Sequence, residues 1–164
     1  HRGTVQDQQL TKIGNNNLLM VNVHVAHDCV FGDDNIFANN VTIAGHVHVG
    51  NNAILGGMVD IHQFCKIGSH SFIGGGAIVL RDIPPYVMVS GTKHIPQGIN
   101  TEGLRRRGFE KQTIMQIKRA YKAVYRDGNT VNQATELLNE MAKQTPEIGS
   151  LAEFIARSER GIVR

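Results

Sequence analysis

The sequence is short of cysteine, of proline, of charge of one sign and of long hydrophobic runs, and each shortage excludes something. Two cysteines, Cys29 and Cys65, stand 36 residues apart in a chain of 164 residues. Both fall two places before a repeated apolar position, which suits small apolar fillers of a reduced core rather than a disulfide framework. No apolar run approaches the roughly 18 residues of a membrane span, so no membrane insertion is expected. The chain shows no signal-peptide pattern and opens on His1 rather than Met, so a missing N-terminal portion is expected. Seventeen basic against fourteen acidic residues leave a net charge of +3, without the concentrated basic face that nucleic acid needs. The excess lies in the last part of the chain. Residues 1–96 carry five basic and six acidic side chains, and residues 97–164 carry twelve and eight. That distribution suits an anionic ligand or an acidic protein partner.

What is abundant is a period. From Ile13 to Val79 an aliphatic or Phe residue recurs at every sixth position: Ile13, Leu19, Val25, Phe31, Phe37, Ile43, Val49, Leu55, Ile61, Ile67, Ile73 and Val79. A fixed period decides the architecture before any single residue does. Six is a multiple of two, so each unit can be a short strand followed by a turn. The turns hold Asn, Asp and Gly in runs such as Asn15-Asn16-Asn17, Asp33-Asp34-Asn35 and Gly74-Gly75-Gly76, residues that tolerate a left-handed backbone. Three units closing a triangular coil give four coils over residues 13–84. Ahead of them, Gln6-Asp7-Gln8-Gln9 reads as a polar loop.

Two of the four prolines, Pro84 and Pro85, lack ladder donors and are expected to stop the stacking. The expected division is a β-helical rod over residues 1–85, an extended connector over 86–101 and a helical domain over 102–164. Three helices are expected in the last part. One spans about 110–126 with Ile114, Ile117, Tyr121 and Val124 on one face. The next begins at a capping box of Thr130 with Gln133 and ends at Pro146. The third carries Leu151, Phe154 and Ile155.

In an 18-residue coil, residues 18 apart stack on one face. His27, Gly45 and Gln63 then form one column, and Asp28, His46 and Phe64 its neighbour, with His24 and His62 close in phase. Four histidines, a carboxylate and an amide thus share one corner within about 10 Å, two coil spacings. Clustered histidine can bind zinc, but no two of the eight histidines are five apart, as the zinc-binding hexapeptide proteins require, and no metal is expected. Imidazole also suits general-base catalysis near neutral pH, with Asp28 to orient His27 and the Gly45 backbone N–H to receive an oxyanion. A purely structural role at turns is the third reading. Neighbouring strand residues face opposite ways, so the orientation of Asp28 relative to His27 stays open at this level. A second polar group, Asn100, Glu102, Arg105, Arg106 and Arg107, lies where the chain leaves the rod. Arginine pairs recognise phosphate.

The stretches NVHVAHDC, AGHV, HQFC, DIPPYV, GINTEGLRRRGF and ARSERGIVR closely resemble those of the bacterial acyl-ACP–UDP-N-acetylglucosamine O-acyltransferases, and the likeness covers essentially the whole chain. The resemblance implies a left-handed parallel β-helix followed by a C-terminal α-helical domain, in a cytoplasmic homotrimer with active sites between subunits. It implies transfer of a 3-hydroxyacyl chain from acyl-carrier protein to the 3-hydroxyl of UDP-N-acetylglucosamine, the first step of lipid A synthesis. No cofactor is implied; the carrier's phosphopantetheine arm is part of the substrate. His27 would be the base, Asp28 its assistant and Gly45 an oxyanion donor. His24, His46, His62 and Gln63 would line the pocket, and Asn100, Glu102, Arg106 and Arg107 would contact the nucleotide-sugar. Gly75 would leave room for a longer acyl chain. Lys111, Lys118, Arg119, Lys122 and Arg126 are candidates for docking the acidic carrier. Family members have further coils before the point matching His1, and these donate pocket residues to a neighbouring subunit. The alternatives are the paralogous N-acyltransferase of the same pathway and a non-catalytic trimeric scaffold.

Overall fold

The computed structural model describes residues 1–5, 9–91 and 95–164; most of the polar loop expected at residues 6–9 lies outside that set. From residue 12 the chain lays down two-residue strands at six-residue intervals. They are β1 (Lys12–Ile13), β2 (Leu18–Leu19), β3 (His24–Val25), β4 (Val30–Phe31), β5 (Ile36–Phe37) and β6 (Thr42–Ile43). The series continues through β7 (His48–Val49), β8 (Ile54–Leu55), β9 (Asp60–Ile61), β10 (Lys66–Ile67), β11 (Phe72–Ile73) and β12 (Ile78–Val79). Strands 18 residues apart pair in parallel, as Ile13 with Phe31 and Phe31 with Val49. The chain therefore winds as a parallel β-helix with three faces. The first is β1-β4-β7-β10, the second includes β2-β5-β8-β11, and the third is β3-β6-β9-β12.

The second residue of each strand is the repeated aliphatic, and it points inward. From Phe31 to Val79 every member of that row is 5% exposed or less. Burial of such a side chain is worth about 1.5–3 kcal/mol. Ile13 and Leu19, on the first two strands, are 44% and 38% exposed. Both cysteines are free and fully buried, as expected.

The turns follow one rule. The residue three places after each inward aliphatic has φ between 54° and 73°, from Asn16 through Gly76. Asn, Asp or Gly fills most of these positions, but His46, Met58, Phe64 and His70 fill the others. A left-handed backbone at such residues costs roughly 1–2 kcal/mol each.

Two local expectations differ from the structure. Stacking does not stop at Pro84-Pro85, and residues 86–101 are not simply extended. β13 (Val87–Val89) adds a parallel rung to the second face, with Met88 opposite Phe72, and β14 (Pro96–Ile99) pairs antiparallel with β13. The prolines occupy the corner before β13, where their missing N–H groups remove nothing from that ladder.

Four helices follow rather than three: α1 (Thr101–Arg106), α2 (Lys111–Tyr125), α3 (Val131–Ala142) and α4 (Glu147–Ala156). α1 was not expected; Asn100 caps it by accepting from the Gly103 N–H. The Thr130–Gln133 capping box is present at α3, whereas Pro146 stands at the residue before α4, with no side-chain capping bond, instead of only ending what precedes it. The helices are tied back to the rod. The Tyr86 hydroxyl donates to the Glu147 carbonyl at 2.8 Å. Buried Asp82 accepts from the Lys66 N–H and the Ser158 hydroxyl, both at 2.7 Å, while its own carbonyl accepts from Val163. Among the described residues no helix is long and apolar enough to cross a membrane.

Candidate active site

The corner between the third and first faces carries the histidine columns. The His46 N–H donates to the His27 carbonyl at 3.0 Å and the Phe64 N–H to that of Gly45 at 3.1 Å, so the two columns stack as the 18-residue step requires. Asp28 occupies a left-handed turn position, φ 58°, which swings its carboxylate back beside its own neighbour. His27 Nδ1 lies 3.0 Å from Asp28 Oδ2. The same carboxylate, 1% exposed, accepts from the Thr4 hydroxyl at 2.6 Å and from the Thr4 N–H at 2.9 Å. Burial alone would raise its pKa. The Thr4 bonds, the His27 bond and the nearby His46 ring outweigh it and hold the carboxyl down to about 2.

Gly45 lies directly against the His27 ring. A Cβ built there would come within 2.7 Å of His27 Cε1 and 2.8 Å of Nε2, so only glycine lets the imidazole lie over the main chain. On the corner between the first and second faces, the equivalent N–H groups are met by side chains one coil on: Asp33 donates to Asn51 Oδ1 and Asn51 to Ser69 Oγ. The Gly45 N–H has no such acceptor among the described residues. His46 stands edge-on to His27, centroids 5.0 Å apart, and stacks on Phe64 at 4.5 Å and 8°.

His27, Asp28 and His46 offer three ligand atoms within 4.8 Å of one another, so this trio could hold a metal ion. Both Asp28 oxygens are already engaged by Thr4, and one also by His27; a cation would have to displace those bonds.

The other candidate residues are distributed over the rod. His62 and Gln63 belong to the same corner, but His62 Nδ1 faces Arg160 Nη2 at 3.1 Å rather than His27. His24 lies on β3, exposed, one face position earlier. Asn100, Glu102, Arg106 and Arg107 sit at the opposite end of the first face, beside the corner that holds Asn52 and His70. Arg107 Nε donates to Asn52 Oδ1 at 2.7 Å. Asn100 is buried, with its side chain committed to the His70 carbonyl and to the α1 start. Glu102 accepts from Arg105 and Arg106, and the Arg105 bond leads in drawing its carboxyl below the usual range. His70, stacked on Tyr86 and edge-on to Phe109, is half-buried, and desolvation with the nearby Arg107 charge lowers its pKa to about 4. Gly75 is exposed on the third corner, near exposed Met58, Ile78 and Leu80; a Cβ there would meet the Gly57 carbonyl oxygen at 3.0 Å.

Thr4 and Arg160 were not among the site residues expected from the sequence, and Phe64 was placed only as a column neighbour of His46. Thr4 precedes the period and has no phase to reveal it. Phe64 did carry a signal, a bulky residue in a left-handed slot.

A three-faced rod wound from six-residue units places the chain among the hexapeptide-repeat proteins. A family model described as "Bacterial transferase hexapeptide (six repeats)" matches residues 10–45. Another, "Udp N-acetylglucosamine O-acyltransferase; Domain 2", matches residues 82–163. The chain belongs to the UDP-N-acetylglucosamine O-acyltransferase family. A curated acyl-[acyl-carrier-protein]–UDP-N-acetylglucosamine O-acyltransferase from Tolumonas auensis is 63% identical over all 164 residues, which span 62% of that protein. The solved UDP-N-acetylglucosamine O-acyltransferase from Moraxella catarrhalis superposes with a TM-score of 0.98 at 49% identity, over 100% of this chain and 64% of that one. A second solved relative, from Acinetobacter baumannii, gives 0.97 at 55% identity over the same shares, 100% and 64%. The expected fold, a left-handed parallel β-helix of hexapeptide repeats followed by C-terminal helices, is the fold of this chain.

Proposed function

We propose that this chain, within the assembled protein, transfers a 3-hydroxyacyl group from acyl-carrier protein to the 3-hydroxyl of UDP-N-acetylglucosamine, the first step of lipid A biosynthesis. The observation that carries the reading is the 3.0 Å contact between His27 Nδ1 and an ionised Asp28, with Gly45 beneath the ring. The carboxylate draws the ring proton to Nδ1 and leaves the Nε2 lone pair free to act as a base. Nε2 takes the proton of the sugar hydroxyl as its oxygen attacks the thioester carbonyl. The Gly45 N–H receives the developing oxyanion. Collapse expels the phosphopantetheine thiolate, which leaves as the thiol with the proton from Nε2. No acyl-enzyme is formed. Both cysteines are fully buried, and burial pushes the Cys65 thiol up to about 11, so neither is a nucleophile.

The nucleotide-sugar group at Asn52 and Arg107 and the base at His27 occupy opposite ends of one rod face. This separation supports a homotrimer in which each site draws the base from one subunit and its arginines from the next. The exposed basic residues Lys111, Lys118, Arg119, Lys122 and Arg126 of α2 and its end offer the acidic carrier a docking face. The reaction uses no cofactor, and the enzyme works in the cytoplasm. The test is a hybrid in which residues 1–164 replace the matching part of the Tolumonas auensis relative, assayed with acyl-ACP and UDP-N-acetylglucosamine with and without His27→Ala.

A further inference from the structure

His62 Nδ1 has two neighbours that make opposite demands on it. Arg160 Nη2 lies 3.1 Å away, and the Gln63 carbonyl oxygen lies 3.1 Å away. A guanidinium carries only donors, so the first contact needs a lone pair on Nδ1; a carbonyl carries only lone pairs, so the second needs a proton there. One nitrogen of a neutral imidazole cannot satisfy both. Arg160 is not loosely placed. Its Nε donates to the Leu80 carbonyl at 3.1 Å, which fixes the plane of the guanidinium beside the ring. Asp82 and its neighbours hold the chain just around it, through Ser158, Gly161 and Val163. A charge-assisted bond from a fixed donor outweighs a neutral one to a backbone carbonyl at the same distance.

We propose that Arg160 is a positioning residue: it keeps the proton of His62 on Nε2, so that this ring presents a donor, not a lone pair, at the corner that carries His27 and Gly45. His27 is set the opposite way. Asp28 places its proton on Nδ1 and frees Nε2 as a base, whereas Arg160 claims Nδ1 of His62 and leaves Nε2–H to meet an oxygen of the bound acceptor. Two imidazoles on one corner are thereby given opposite roles by one anion and one cation. The functional half of this inference rests on the acyltransfer reading; the tautomer does not.

The test is the proton position itself. In the chain labelled with nitrogen-15 histidine, long-range proton–nitrogen correlations at about pH 8, where a free imidazole is neutral, distinguish the two tautomers. A His62→Gln chain identifies the His62 signals. The expected result is Nε2–H in the unsubstituted chain, Nδ1–H in Arg160→Ala, where the Gln63 carbonyl becomes the remaining partner, and retained Nε2–H in Arg160→Lys. A proton on Nδ1 in the unsubstituted chain overturns the proposal, as does an unchanged tautomer in Arg160→Ala or a lysine variant that behaves like alanine. In the hybrid, Arg160→Ala should lower kcat/KM for the nucleotide-sugar about tenfold, as loss of one oriented hydrogen bond does. A flipped tautomer with unchanged kcat/KM overturns the functional half. Turnover surviving His27→Ala would instead defeat the acyltransfer mechanism and leave the tautomer result standing.

Discussion

His27 and Asp28 are neighbours in the chain, yet their side chains meet at 3.0 Å on the same side of it. Alternation along a strand would send them to opposite faces. The left-handed backbone at Asp28, φ 58°, removes that alternation for one residue and folds the carboxylate against the imidazole. Thr4, from the segment ahead of the first strand, then fixes the carboxylate with three bonds. The pair is therefore a product of the turn rule that builds the rod.

Asp28→Asn keeps the shape and a left-handed-tolerant residue but removes the charge that holds the proton on His27 Nδ1. In the hybrid it should lower kcat by about 100-fold or more, with little change in KM for the nucleotide-sugar, since an orienting carboxylate acts on the transition state. Steady-state kinetics at neutral pH measure the split. An unchanged kcat would remove Asp28 from the mechanism.

Gly45→Ala puts a methyl group within 2.7–2.8 Å of the His27 ring. The ring, a movable side chain on a corner, is displaced rather than the coil. The thermal midpoint should therefore fall by only a few degrees, about 1 kcal/mol, while acyl transfer falls by about 100-fold or more. A variant with both stability and activity intact would contradict the placement of the ring over the main chain.

The rod was legible because its period is dictated by geometry alone: one inward aliphatic per face per coil, Phe31 over Ile13 and Val49 over Phe31, with nothing for later packing to override. The corner columns were legible for the same reason, since stacking every 18 residues is a property of the coil. What sequence could not supply was rotation about single bonds. Glu102 turns toward its own helix's Arg105 and Arg106, and His62 turns toward Arg160, a partner 98 residues away whose segment has no period. The rung added by β13 was hidden because proline was read as a stop, when it only had to stand at a corner. α1 was hidden because six residues are too few to show a hydrophobic period.

Gly75→Met adds a long apolar side chain on the third corner, where a Cβ meets the Gly57 backbone, its carbonyl oxygen at 3.0 Å and its nitrogen at 3.6 Å. The backbone tolerates it with a small shift. In the hybrid the preferred donor should become shorter than the 3-hydroxyacyl chain the glycine version prefers, measured by competition among acyl-ACPs of different length. An unchanged preference would mean that the acyl chain does not pass this corner.

His70 titrates at about 4 in the folded chain against an ordinary 6.5, because burial and then the Arg107 charge oppose its protonated form. The unfolded chain thus takes up this proton first. Stability is whole above about pH 6.5 and declines as pH falls toward 4, after which His70 adds nothing further. Asp28, depressed from 3.8 to about 2, adds its own loss only below that window. Denaturation midpoints measured from pH 8 to about pH 4 should fall, and His70→Asn, which suits the left-handed φ of 61°, should flatten the decline. A decline equally steep in the variant would assign it elsewhere.

The most direct test of the central claim is the rate of acyl transfer from acyl-ACP to UDP-N-acetylglucosamine by the hybrid carrying His27→Ala, at saturating substrates. A fall in kcat of about 1,000-fold or more is expected, because the Asp28 carboxylate beside Nδ1 leaves the Nε2 lone pair of His27 free to act as the base. A variant that turns over within about tenfold of the unsubstituted hybrid would contradict the assignment of His27 as the base.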